Sequence, residues 1–167
     1  MIFDPEGNGT VLTKTTETAI QVLLLLAREE ERNPVSPRQL ARRLDASPSY
    51  TAKITGLLVK ANLLRATRGA RGGVSLAQEP SQITLLSAVE ACQGRMLGDY
   101  CDGIVPIELT CAYHQAMKEV HDAVIHVLGK WTLADLLRKP LPSQEIAGRV
   151  RCRMASACRR PVSVPRN

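Results

Sequence analysis

Five cysteines and three histidines hold the most reactive side chains of this 167-residue chain, and their spacing is uneven. Cys101 and Cys111 share a short segment punctuated by Gly98, Gly103 and Pro106, and His114 follows Cys111 by three residues. A Cys-x-x-His at a helix start puts thiolate and imidazole on one face, where both can hold one metal centre. Those donors suit zinc and iron–sulfur clusters alike, and composition alone leans to zinc. Cys92 stands nine residues before Cys101, within the apolar run of Ala88, Val89 and Ala91, and reads first as a small buried hydrophobe. Cys152 and Cys158 lie in an arginine-rich tail and read as unligated, oxidisable thiols. His121 and His126 read as surface residues of a long helix. An odd cysteine count in an unsecreted chain argues against a disulfide framework. No phosphate-cradling glycine loop, nucleophile-and-base set or pair of hydrolytic acids is visible, so an enzyme is not expected.

A second chemistry is written in charge. The chain carries a net +6, yet residues 36–80 alone hold eight basic side chains against two acidic ones. Residues 147–167 add six arginines and no acid, while residues 1–35 and 81–146 are each mildly acidic. One basic block and one basic tail on an otherwise acidic protein have the charge layout of a polyanion-binding face. Aromatic residues make up only 3%, which argues against stacking platforms for single-stranded nucleic acid. The longest apolar run, Val22 to Ala27, is far too short to cross a bilayer. The opening residues carry acids where a signal peptide is basic and apolar. A cytoplasmic protein with no membrane partner is expected.

The elements that must position these groups follow from cap and period signals. Residues 1–12 are expected to form a flexible arm, and residues 13–80 a DNA-binding domain. Within it, Ala19, Val22, Leu23, Leu26 and Ala27 repeat at helical spacing after Thr13, a plausible N-cap. Glu29-Glu30-Glu31 with Asn33-Pro34 closes this helix. Ser36-Pro37 and Ser47-Pro48 then start two more, about Pro37 to Leu44 and Pro48 to Ala61, joined by three residues in a helix-turn-helix. Leu63 to Leu76 has apolar ends around Gly69, Gly72 and Gly73, which predicts a basic β-hairpin wing. Residues 81–112 supply a connecting helix, from Ile83 to Cys92, and the sensor loop. A last helix runs from about Tyr113 to Leu137, within a segment 113–140. Its Met117, Val120, Val124, Val127 and Trp131 are spaced three, four, three, four, a heptad seam that asks for a partner helix and predicts a homodimer. Residues 141–167 read as a basic disordered tail. The fold class is therefore mainly α: a winged helix-turn-helix with a β-hairpin wing and a long C-terminal dimerisation helix.

Five motifs stand in a recognisable order: Thr13-Lys-Thr-Thr-Glu-Thr-Ala19, Ser47-Pro-Ser-Tyr50, Arg68-Gly-Ala-Arg-Gly-Gly73, Ile83-Thr-Leu-Leu86 and Cys111-Ala-Tyr-His114. Over residues 11–140 the chain resembles bacterial transcriptional regulators of the IscR/NsrR (Rrf) type. The resemblance implies a dimeric winged-helix factor that binds a double-stranded DNA operator, and many such proteins carry an iron–sulfur cluster before the dimerisation helix. The wing here ends Gly-Gly-Val74 where Gly-Gly-Tyr is common, and Thr51 replaces an apolar residue. The loop has two cysteines where three are frequent.

The recognition helix would place Ser47, Ser49, Tyr50 and Lys53 at the major groove. Lys60 and Arg65 would meet phosphates, with Arg68 and Arg71 at the wing tip in the minor groove or on the backbone. The resemblance also tips the Cys101, Cys111 and His114 site from zinc towards iron–sulfur. Glu17, reaching over from the partner subunit, is the implied fourth ligand, and Cys92 is the alternative. A mixed set of this kind fits a 2Fe-2S cluster better than a cubane. A cluster-free regulator sensing through thiols or a protein partner is the other reading.

Overall fold

Helix starts follow cap chemistry. In the computed structural model, which describes residues 12–28, 34–69, 72–95 and 106–138 with Ser143, Met154 and Ala157, α1 spans Lys14–Ala27. Its N-cap is Thr13, whose hydroxyl accepts from the Thr16 N–H. Helix α2, Pro37–Leu44, opens with a reciprocal box: the Gln39 N–H donates to Ser36 Oγ, and the Ser36 N–H to Gln39 Oε1. Helix α3, Pro48–Lys60, opens on Ser47, which accepts from the Tyr50 N–H at 3.2 Å. Asp45 closes α2 in the left-handed region, φ 51°, which a short polar side chain tolerates, and so sets the angle of the helix-turn-helix. The expected tandem of short helices is present.

Strands β1, Leu64–Thr67, and β2, Gly73–Leu76, pair antiparallel, with Leu64 opposite Leu76 and Thr67 opposite Gly73. The expected hairpin is therefore there. The segment before α2 joins it as well, because Val35 and Val74 form a bridge and anchor the wing to the domain.

Helix α1 is the central post, with Ala19, Val22, Leu23 and Leu24 essentially buried. It packs against α3 and against α4, Leu85–Gln93, and Leu40, Ile54, Leu58, Leu64 and Ile83 complete the core around it. Each such side chain contributes on the order of 1.5–3 kcal/mol by leaving water. Thr51, the polar departure noted above, is fully buried but satisfied: its hydroxyl donates to the Ser47 carbonyl at 3.0 Å.

Two expected helix bounds need correction. The single helix from Tyr113 to Leu137 is two helices, α5, Ala112–Lys130, and α6, Leu133–Arg138. Trp131 is extended, because its carbonyl accepts from the Leu85 N–H while the Leu133 N–H donates to Ile83. Asp135 then caps the new helix, accepting from both the N–H and the hydroxyl of Thr132. The same pairing holds Ile83 and Thr84 extended, so the connecting helix starts at Leu85 rather than Ile83. In the C-terminal tail, Ala157 is buried in the core cluster, Met154 packs against it, and the Arg28 guanidinium donates to the Ala157 carbonyl. At those two residues the chain is packed, not free. The arm 1–11, the acidic run 29–33 and residues 96–105 lie outside the described residues.

Candidate functional site

The basic block forms around the start of α3 and the wing. Ser47, Ser49 and Lys53 are exposed on the first turns of α3, and Lys60 is exposed at its last residue. Along a helix rising 1.5 Å per residue, Lys60 stands roughly 16 Å from Ser49, too far to share one contact with it. Arg65 is exposed on β1 and braced across the hairpin, its Nε donating to Ser75 Oγ at 3.2 Å. Arg68 is exposed at the end of the hairpin next to Gly69, which has φ +114°. Arg71 lies outside the described residues.

Tyr50 differs from its neighbours. It is half-buried, and its hydroxyl lies 3.2 Å from Thr15 Oγ1 on α1. A groove of about 700 Å³ opens beside that contact, lined by Thr13, Lys14, Thr18, Asp45 and Ser47 among others. Nothing in the sequence spacing pointed to Thr15, since the pair is separated by thirty-five residues.

The thiol–imidazole pair is formed. Cys111 is the N-cap of α5, and its Sγ lies 3.0 Å from His114 Nδ1 at the protein surface. That ring beside it holds the Cys111 thiol down at about 7. A near-neutral thiolate next to an imidazole is a fit donor pair for zinc or an iron–sulfur cluster. Cys101 lies outside the described residues, and among those described no group of three potential ligands converges. Cys92 is half-buried, packs against the core and touches the Thr16 hydroxyl, and burial pushes its thiol up. Glu17 sits half-buried in the first turn of α1.

The seam residues of α5 are largely uncovered. Val120 is 42% exposed, Val127 51% and Trp131 46%, with Tyr113 at 63%. Only Leu128 of α5 is buried. Isolated apolar side chains on a surface are ordinary, but an aligned row of them marks an interaction face. No helix among the described residues is long and apolar enough to cross a membrane.

Comparison with known proteins agrees with this architecture. The family profile Rrf2, described as an iron-dependent transcriptional regulator, matches residues 12–139. The helix-turn-helix-type transcriptional regulator YffB of Lactococcus lactis is 33% identical over 133 residues, 75% of this chain and 85% of that protein. The regulator NsrR of Geobacillus kaustophilus is 30% identical over 134 residues, 75% of this chain and 88% of its own. Among solved structures, T. potens IscR superposes with a TM-score of 0.65 at 26% identity, covering 81% of this chain and 92% of that one. CymR, the global cysteine regulator of B. subtilis, gives 0.61 at 26% identity, covering 75% and 94%.

Proposed function

The chain belongs to the Rrf2 family of transcriptional regulators, DNA-binding winged-helix proteins and not enzymes, and from that premise we propose that it grips a specific duplex operator as a homodimer and adjusts that grip through an iron–sulfur centre. The ligands would be Cys101, Cys111 and His114, with Glu17 of the other protomer completing the set and Cys92 as the alternative. The observation that carries the reading is the meeting of Cys111 and His114 at 3.0 Å, exposed at the start of α5. The cluster, 2Fe-2S by its mixed ligands, would supply a redox- or ligand-sensitive centre. A cytoplasmic site of action follows from a DNA partner.

The chain's own residues divide the work by segment. In residues 13–80, Ser47, Ser49, Tyr50 and Lys53 face the major groove, Lys60 and Arg65 the phosphates, and Arg68 and Arg71 the minor groove or backbone. Residues 81–112 carry the sensor loop. Residues 113–140 dimerise through Met117, Val120, Val124, Val127 and Trp131, supported by the exposure of Val120, Val127 and Trp131. The arm 1–12 and basic tail 141–167 add no ligand. Because α4 packs on both α1 and α3, a change in the loop that follows α4 can bias the placement of α3. That is a population shift between two arrangements of the recognition helices.

A second reading has its own support. Cys111 is exposed and paired with His114, the setting of an oxidisable thiol, so the same fold could sense without a cluster. Anaerobic purification followed by an absorption spectrum with iron and sulfide counts separates the two. Coloured protein with matching iron and sulfide supports the cluster. Colourless, iron-free protein that still selects a duplex supports the thiol regulator.

A further inference from the structure

The first turn of α1 ties together parts of the molecule that lie far apart in sequence. Thr16 is fully buried there, and Gln93 Nε2 donates to its Oγ1 at 2.8 Å. The Cys92 thiol bonds to the same side chain. Cys92 and Gln93 end α4, immediately before the segment that leads to Cys101. Thr16 Oγ1 is also 3.1 Å from the hydroxyl of Thr13, the cap that fixes this turn. On the next residue towards the N-terminus, Thr15 Oγ1 meets the Tyr50 hydroxyl at 3.2 Å, at the start of α3.

Successive helical residues point about 100° apart, so Thr15 and Thr16 reach to different sides of α1. The end of α4 and the start of α3 are therefore moored to adjacent residues of one capped turn. That turn is backed by Ala19 and Ile20 in the core and has little room to yield.

We propose that this threonine turn is a positioning element, in which Thr16 with Gln93 and Thr15 with Tyr50 couple the end of α4 to the seating of the recognition helix on DNA. The inference rests on the DNA-binding reading but not on the presence of a cluster. Thr15, Thr16 and Gln93 are positioning residues: they set where Tyr50 and its neighbours stand.

A double-mutant cycle tests the coupling. The probes are the best-bound duplex selected from a randomised pool and a scrambled duplex of equal length and composition. Gln93→Leu removes the moor on α4 from an exposed residue, so the chain folds, as an unchanged melting temperature would verify. Gln93→Leu is expected to weaken the selected duplex by roughly threefold to tenfold, one hydrogen bond's worth, and to leave the scrambled duplex unaffected. Thr15→Val is expected to weaken the selected duplex and Thr15→Ser to keep wild-type affinity, while Tyr50→Phe, which also alters a groove-facing side chain, should lose at least as much as Thr15→Val. Gln93→Leu combined with Thr15→Val should lose less than the product of the single losses. Full multiplicativity, or wild-type affinity in Gln93→Leu, overturns the coupling while DNA binding stands. A wild-type protein with no preference among duplexes overturns the reading of a specific operator itself.

Discussion

Val35 and Val74 exchange both backbone hydrogen bonds, each at 2.9 Å, so the residue before the α2 cap bridges to β2 of the wing. This pairing explains Gly73. A Cβ built there would stand 2.6 Å from the carbonyl carbon and oxygen of Val35. Gly73→Ala must push the wing off its support, at a cost of about 1–3 kcal/mol for an overpacked site. A lower denaturation midpoint together with weaker duplex binding is the expected result. Gly56→Ala is the control for stability, because no atom crowds that exposed helical position and alanine suits a helix better than glycine. Gly73→Ala with wild-type stability would mean that the strand pairing is dispensable.

Duplex binding should depend steeply on salt, because neutralising phosphates releases counterions. Arg68→Ala removes an exposed guanidinium beside the hairpin turn without touching the core. It is expected to lower affinity and reduce the slope of log affinity against log salt by about 1, and Arg71→Ala to do the same. The melting temperature should not move. Unaltered affinity and slope in both variants would take the wing out of the DNA interface.

Val127 lies half uncovered on the protomer, so Val127→Asp places its charge in water and should leave the monomer folded. In a dimer seam the same charge is buried without a partner, which is strongly unfavourable. Sedimentation should therefore give a dimer for the wild type and a folded monomer for Val127→Asp. A variant that remains dimeric would place the subunit contact elsewhere.

How much of this was legible in the sequence depends on the range of each interaction. Ser36, Ser47 and Thr13 announced their helices because a cap bonds only three residues along. The break at Trp131 had a local signal too, Thr132-x-x-Asp135, but the heptad spacing running through Trp131 concealed it. What broke the helix is the pairing of Trp131 and Leu133 with Leu85 and Ile83, about fifty residues away, which no local pattern contains. The contacts of Tyr50 with Thr15 and of Gln93 with Thr16 are hidden for the same reason. At the sensor site, Cys111 and His114 were legible as neighbours because one helical turn separates them. The third ligand proposed for them, Cys101, has no such fixed spacing.

The His114 ring lowers the Cys111 thiol to about 7, so the thiolate is the favoured form above that pH. In metal-free protein, alkylation of Cys111 by iodoacetamide should rise with a midpoint near there. His114→Ala should move the midpoint up towards the ordinary cysteine value of about 8.5. Cys92, pushed the other way by burial, should react slowly at neutral pH in the folded chain. Mass spectrometry of the alkylated peptides reads both sites. An equal midpoint in wild type and His114→Ala would mean that the ring does not activate the thiol.

The ligand set is the sharpest test of the sensing proposal. Thiolates are the strongest iron donors in it, so Cys101→Ala and Cys111→Ala should each abolish the visible absorption of anaerobically prepared protein. His114→Ala should leave a more labile cluster, because water can replace one weaker donor. Glu17→Ala should do the same while the melting temperature holds, since Glu17 lies half-buried in the first turn of α1 outside the buried core. Cys92→Ser distinguishes the two fourth ligands. Cys92 packs against the core and bonds Thr16, so the expectation is a full spectrum with slightly reduced stability. If Cys92→Ser bleaches the protein and Glu17→Ala does nothing, the set becomes three cysteines and a histidine within one subunit. If all five variants keep the spectrum, the cluster is held by other residues and this ligand set falls; if the wild type never shows one under strict anaerobiosis, the cluster itself falls and the thiol-sensing reading of the Cys111–His114 pair takes its place.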